Sequence, residues 1–493
     1  MKKFLRSLIQ LLSPLSNSKR RKHRPGGSEL LESRVLLTAE YKLVRDIFTG
    51  ADTEGSRPDH FTQVGATTFF TATTPSGGME LWKTNGTSNE TSLVKDIRPG
   101  LRGSDPLSLT NVNGVLYFTA DDGVNGRELW KSDGTAGGTT LVRDILAGPS
   151  GSNPSELTNF SGQLYFAANT ITSGQELWTS NGTTGGTTQV IDINTGDIGS
   201  DPRSLKATSS GLYFAADDGT NGIEPWRLAS VGSTPTLLAN IATAGFGSGA
   251  QGFFEFSGSV FFAADDATNG IELWKTDGSG PGTVLVKDIE SGSGNSTPLP
   301  LAVVGGNLVF AATTTANGRE LWRTDGTTGG TLLLADIEPG PAGSSVSSIT
   351  LAGTSGFFTA TRAIYGEELW KTDGTTESTA IVKDIIAGGV SSAPAQLVNV
   401  GGTLYFRAND GVNGAELWKS NGTSVGTVMV KDLQPGSYGS VPNPLTNAAG
   451  KLLFAATDGT TGYELWTSDG TSIGTTQVKD ISSGSAGSSV DSI

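Results

Sequence analysis

The chain has 493 residues with 69 glycines, two histidines, no cysteine and a net charge of −14. A disulfide framework, a thiolate metal site, a cysteine nucleophile and any histidine cluster are therefore excluded. Residues 1–39 hold nine Lys or Arg against two acids, a net of +7, so residues 40–493 carry −21. A body this acidic repels nucleic acid and anionic membrane surfaces.

The first segment, residues 1–39, reads as a disordered leader outside the fold. It runs through Lys2-Lys3, an apolar stretch from Phe4 to Leu15 interrupted by Arg6 and Gln10, and a basic run from Lys19 to Arg24 that includes His23. The stretch is too short to span a membrane and fits an export signal with a weak apolar region. Leu31 to Ala39 resembles the LEPR-XLL motif at the N-terminus of large exported bacterial repeat proteins, with Ser33 where that motif has proline. The resemblance implies an exported, extracellular or cell-surface protein.

From residue 40 onward the chain is a repeat. All nine tryptophans, Trp82, Trp130, Trp178, Trp226, Trp274, Trp322, Trp370, Trp418 and Trp466, are spaced by 48 residues. A fixed period in the range of 20 to 50 marks a repeat architecture. One copy shows the plan. Strand candidates are Pro106–Val112, Val115–Ala120, Glu128–Ser132 and Thr139–Ile145. Asn113-Gly114, Asp121 to Gly126 and Asp133-Gly134-Thr135 form the turns between them. Asn-Gly and Asp-Gly between apolar runs are strong hairpin signals. The second strand is apolar on both faces: Phe lies twelve residues before each tryptophan, from Phe70 to Phe454, and Ala two residues after that Phe, from Ala72 to Ala456. A strand buried on both sides reads as a continuous apolar run. A four-stranded sheet hides both faces only by stacking between copies of itself, which is the logic of a propeller blade.

The expected fold is all-β: residues 40–493 as a single β-propeller of nine four-stranded blades. Copy four is worn. Pro225 replaces the leucine before tryptophan, Arg227 to Gly232 replaces the Asp-Gly-Thr turn, and Asn240 replaces an aspartate. The ends leave closure open. Tyr41–Ile47 is an extra fourth-strand copy able to supply the outer strand of the last blade, and Gly487–Ile493 reads as the start of a partial tenth blade.

The string Glu-Leu-Trp-x-x-Asp-Gly-Thr is intact at Glu128–Thr135, Glu320–Thr327, Glu368–Thr375 and Glu464–Thr471, with close variants at Glu80, Glu176, Glu272 and Glu416. It resembles the bacterial ELWxxDGT repeat family across residues 41–493. The resemblance implies an exported propeller and brings no catalytic residues with it.

Carboxylates recur at two positions. Glutamate lies two residues before every tryptophan, from Glu80 to Glu464, and aspartate fourteen after it in eight copies: Asp96, Asp144, Asp192, Asp288, Asp336, Asp384, Asp432 and Asp480. Glycoside hydrolysis needs one special pair of carboxylates, whereas these are equivalent by repetition. They read instead as acceptors for backbone N–H groups at blade junctions. The invariant serine twenty-two after the tryptophan, Ser104 to Ser488, reads as a local turn bond. The turn Asp121, Asp122, Asn125, Glu128, repeated at Asp217, Asp218, Asn221, Glu224, has oxygens at a calcium-like spacing. It lacks the alternating acids of an EF-hand loop, and Asx-turn chemistry explains it as well. No cofactor is expected, with calcium the one candidate. His60 reads as a solvated strand-end residue.

The functional expectation is a non-enzymatic, monomeric, exported scaffold or binding module for a protein or glycan partner, without nucleic acid and without a membrane span. The alternative is a carbohydrate-active propeller using carboxylates off the repeat pattern in its channel, such as Asp197, Glu255 or Glu367.

Overall fold

A computed structural model describes residues 55–243 and 246–481. Their 36 strands form nine four-stranded antiparallel sheets, each made of four consecutive strands, with no helix among the described residues. In the second blade the strands are Leu107–Val112, Val115–Asp121, Arg127–Ser132 and Thr140–Arg143. The first strands of successive blades contact one another, so they line the centre of the ring and the fourth strands lie outside.

The first hairpin turns as its Asn-Gly pair requires: Asn113 and Gly114 both have positive φ, 53° and 83°, as a primed turn demands. The third hairpin works differently. Of Asp133 and Gly134 only the glycine has positive φ, and Asp133 Oδ1 accepts the amide of Thr135 at 2.8 Å and its hydroxyl at 2.8 Å. It is an Asx turn in a wider loop, not the tight primed hairpin the dipeptide suggests. The fourth strand is shorter than Thr139–Ile145. Its register slips between Leu129 and Trp130, and beyond Arg143 the chain leaves the ladder, its Leu146 amide donating to Glu128 Oε1 at 3.1 Å.

The core is a series of nine layers between sheets. One cluster joins Phe69, Leu81 and Val94 of the first blade to Leu116, Phe118, Ala120 and Trp130 of the second. The nine phenylalanines that lie twelve residues before a tryptophan, on the second strands, are fully buried, each side chain contributing about 1.5–3 kcal/mol. The alanine two residues on leaves room for the neighbouring sheet. The same kind of cluster joins Phe70, Ala72 and Trp82 to Leu453, Leu465 and Val478 of the ninth blade. The layers thus run round a closed ring.

Closure runs through Gly55 and Ser56, which precede the first blade. Gly55 bridges Tyr463. Ser56 donates its amide to Glu464 Oε1 at 3.1 Å and its hydroxyl to Oε2 at 2.7 Å. Ser104 makes the same bonds to Glu80, at 2.9 and 2.5 Å. Ser56 therefore occupies on the ninth blade the place that the repeat would give to Ser488. The ring holds nine sheets, and the ninth has its own outer strand, Thr476–Lys479. A tenth sheet is not needed for closure, and neither is an outer strand from Tyr41–Ile47. Both Tyr41–Ile47 and Gly487–Ile493 lie outside the described residues, as does the whole leader.

Candidate functional site

The repeated glutamates are buried anchors. Glu128 accepts the amides of Leu146 and Ser152 at 3.1 and 2.7 Å, and the Ser152 hydroxyl at 2.5 Å. Equivalent serine contacts recur in all nine junctions, from Glu80 with Ser104 through Glu416 with Ser440 to Glu464 with Ser56. The serine is therefore no local turn residue. Its hydroxyl reaches 24 positions back, to the third strand of the preceding blade, and ties blade to blade. Burial pushes the Glu128 carboxyl above its ordinary value, against the lowering effect of the Ser152 hydroxyl and the backbone amides. Eight of these glutamates are shifted upward in this way, Glu80 and Glu416 included. No substrate reaches a carboxylate enclosed by its own backbone, so these acids hold the fold.

The turn acids face several partners. Asp121 Oδ2 pairs with Arg98 at 2.5 Å and its Oδ1 accepts the Gly123 amide at 2.7 Å. Asp122 Oδ1 accepts the amides of Val124 and Asn125, and its Oδ2 the Asn125 side chain at 2.8 Å. Burial acts to raise the Asp122 carboxyl, but the Asn125 and Val124 amides outweigh it and hold it below its ordinary value. Asp217, Asp218 and Asn221 repeat this arrangement, while Glu224 turns to Ser248 at 2.6 Å. These are Asx turns, and no group of three or more acids or histidines among the described residues converges as a metal cluster.

One feature of the aspartates was not legible in the repeat. Asp144, Asp288, Asp384 and Asp432 each bury one carboxylate oxygen without a hydrogen-bond partner. In the fourth blade Asn240 stands at this position and donates its amide to Asn221 Oδ1 at 2.7 Å. In the sixth, Asn317 donates to Asp336 at 3.1 Å.

A second set of junction contacts also escaped the sequence reading. The cation thirteen residues after a tryptophan bonds a threonine carbonyl of the next blade: Lys95 to Thr139 at 2.8 Å, and across the closure Lys479 to Thr91 at 2.6 Å. Lys95, Arg143, Lys287 and Lys383 also lie 5.7 to 6.0 Å over the next tryptophan ring. The signal was present as Lys or Arg at a fixed offset in six copies, without a reason to link it to the following blade.

The carboxylates off the repeat pattern do not gather. Glu255 lies on an inner strand, Gln251–Phe256, and receives the amide and hydroxyl of Ser209. Glu367 is on a third strand, Gly366–Thr372, and Asp197 in the connector between the third and fourth blades. His60 is exposed on its strand, with Nδ1 3.2 Å from Thr71 Oγ1; His23 lies outside the described residues.

Exposed large apolar side chains are split unevenly between the two faces of the ring. The interblade connectors pack against the second-hairpin turns, as where Asn153 donates to the Arg127 carbonyl at 3.1 Å. Nine exposed large apolar residues sit on this face and three on the third-hairpin turns opposite. On the first face are Leu101, Val124, Ile198, Phe246, Val412 and Tyr438, between 68% and 91% exposed. No helix among the described residues is long and apolar enough to cross a membrane.

The chain matches no known family profile and no curated protein. Among solved structures it is similar to a prolyl endopeptidase studied for inter-domain dynamics in catalysis and specificity, at 13% identity and a TM-score of 0.43, covering 79% of this chain and 60% of that one. It is also similar to a puromycin-hydrolysing peptidase of Mycobacterium tuberculosis, at 10% identity and a TM-score of 0.36, covering 72% of this chain and 58% of that one. A puromycin hydrolase in complex with a ligand matches at 14% identity and a TM-score of 0.34, covering 72% of this chain and 59% of that one. The chain thus spans about 60% of the length of the structures it matches.

Proposed function

We propose that this protein is a non-catalytic binding module of the ELWxxDGT type, exported through its basic leader, whose connector face docks a protein partner. The observation that carries this reading is the division of labour in each repeat. The recurrent glutamates are buried in junction bonds, while more of the exposed large apolar side chains lie on the connector face than on the opposite one. Where neighbouring exposed apolar side chains on such a face form a contiguous patch, the patch marks an interaction surface. The nine-layered ring gives the face a rigid support, which suits docking without a large ordering cost.

The test is a displayed peptide library panned against the purified chain. Binders should be lost on Val412→Asp and Tyr438→Asp together and kept on Val425→Asp, which lies on the opposite face. Binders lost equally on both faces would sink the assignment of the face. Specific turnover of a glycan or peptide panel would overturn the non-catalytic reading. Recovery of the protein only inside the producing cell would overturn export.

A further inference from the structure

The junction between the first and second blades differs from the others in charge. A cleft of about 490 Å³ opens there on the connector face, lined among others by Met79, Arg98, Leu101, Arg102, Asp105 and Arg127. Arg98 and Arg102 break the repeat. The positions equivalent to Arg98 hold Leu146, Asn194, Ala242, Glu290, Glu338, Ile386 and Gln434, and none of those equivalent to Arg102 is basic. In a body carrying −21, the cleft lining collects three arginines against two aspartates.

The two aspartates brace the arginines without exhausting them. Arg98 Nη1 pairs with Asp121 at 2.5 Å, while its backbone amide donates to Glu80 Oε1 at 3.0 Å. Arg127 Nη2 meets Asp105 at 2.9 Å, and its Nη1 meets the Asp105 carbonyl at 2.8 Å. Arg102 is exposed and pairs with no described residue. Beside it Leu101 is 79% exposed. A guanidinium held in place by a carboxylate on one side is oriented to receive a second carboxylate on the other.

We infer that this cleft binds an acidic peptide segment of a protein partner, its carboxylate between Arg98 and Arg102 and an adjacent apolar side chain on Leu101 and Met79. The inference rests on the binding-module reading and gives its partner a chemistry. A peptide is favoured over an acidic sugar because no aromatic ring lines the cleft to stack on a sugar face. Steering by the arginines makes the association sensitive to ionic strength.

The test uses matched synthetic hexapeptides bearing Glu-Leu or Gln-Leu at their centre, titrated into the full chain at low and high salt. The Glu-Leu peptide should bind more tightly, and the difference should shrink at high salt. Arg102→Ala should weaken it roughly tenfold, as loss of one charge-assisted pair does, and Arg102→Lys should restore part of that loss. Arg102 is exposed, so both variants are expected to fold, and unchanged melting confirms it. Equal binding of the two peptides, or no effect of Arg102→Ala, overturns the cleft assignment. If library binders still depend on Val412 and Tyr438 in that case, the connector-face reading stands without it. Absence of any peptide binding to that face removes both.

Discussion

The second and fourth blades are built on the same 48-residue plan with different upkeep. The second has a four-residue outer strand, Thr140–Arg143, and its Trp130 is 6% exposed under Lys95. The fourth has a two-residue outer strand, Thr236–Leu237, and Ala239 where the second has Arg143. Trp226, and Trp274 on the blade after it, are both more exposed than the other seven. Yet Phe214, Ala216 and Glu224 of the fourth blade are fully buried, and Glu224 holds Ser248. The comparison teaches that the inner three strands and the glutamate anchor are sufficient to seat a blade in the ring. The outer strand and its cation add a margin.

That ranking can be broken by measurement. The largest effect is expected from Trp130→Ala, which should lower unfolding free energy by about 3–5 kcal/mol; Trp226→Ala should cost clearly less in the same denaturant titration. Equal losses would mean that the fourth blade is as tightly packed as the second. Glu128→Ala should cost about 3 kcal/mol, because it leaves buried amides and the Ser152 hydroxyl without an acceptor, and Glu224→Ala should cost a similar amount, since that anchor is intact in both blades.

Repair should work in the opposite direction. Ala239→Lys places a cation where Lys95 and Lys287 carry theirs, over the next tryptophan, and should raise stability by about 0.5–1 kcal/mol. A gain of the same size from a lysine at an unrelated outer-strand site would dissociate it from the Trp274 ring. Asp144→Asn copies Asn240, whose amide satisfies the turn asparagine. In calcium-free buffer it should stabilise the second blade by about 0.5–1 kcal/mol. Stabilisation of the wild type by added calcium, absent in Asp144→Asn, would instead mean that a cation completes the unpartnered oxygen.

Acidification separates the two carboxylate sets. The buried glutamates have folded values above 4.5, so their contribution is fully present below 4.5 and is lost as pH rises through those folded values. The turn aspartates, such as Asp122 and Asp218, sit below 3.8, so theirs is present above 3.8 and is lost as pH falls through the folded values. The melting temperature should therefore pass through a maximum on the acid side of neutrality. A monotonic fall from pH 7 downward would contradict the upward shift of the glutamates.

The blade was readable in the chain because its signals are local. The 48-residue spacing, the Phe-x-Ala second strand and the Asn-Gly turn each follow from steric or burial rules within one repeat. Strand order and nine blades followed from them, while a partial tenth blade stayed open until the ring was seen to close. What failed were relations between repeats. The serine of the Glu-Ser pair read as a turn residue, because its partner lies 24 residues away across a junction that periodicity cannot show. The lysine over the next tryptophan was missed for the same reason. Asp-Gly in the third hairpin read as a primed turn, but the Asp133 side chain captured the Thr135 amide instead.

The sequence by itself determined an all-β ring of repeated four-stranded blades, nine by its tryptophans with a partial tenth left open, because burial and turn rules act within each 48-residue copy. Only the tertiary structure decided how the ring shuts, with Ser56 on Glu464, and that Arg98, Arg102 and Arg127 meet in one cleft. Closure and convergence are relations between residues far apart in the chain. They exist only once packing of apolar faces has brought the first blade against the second and the ninth.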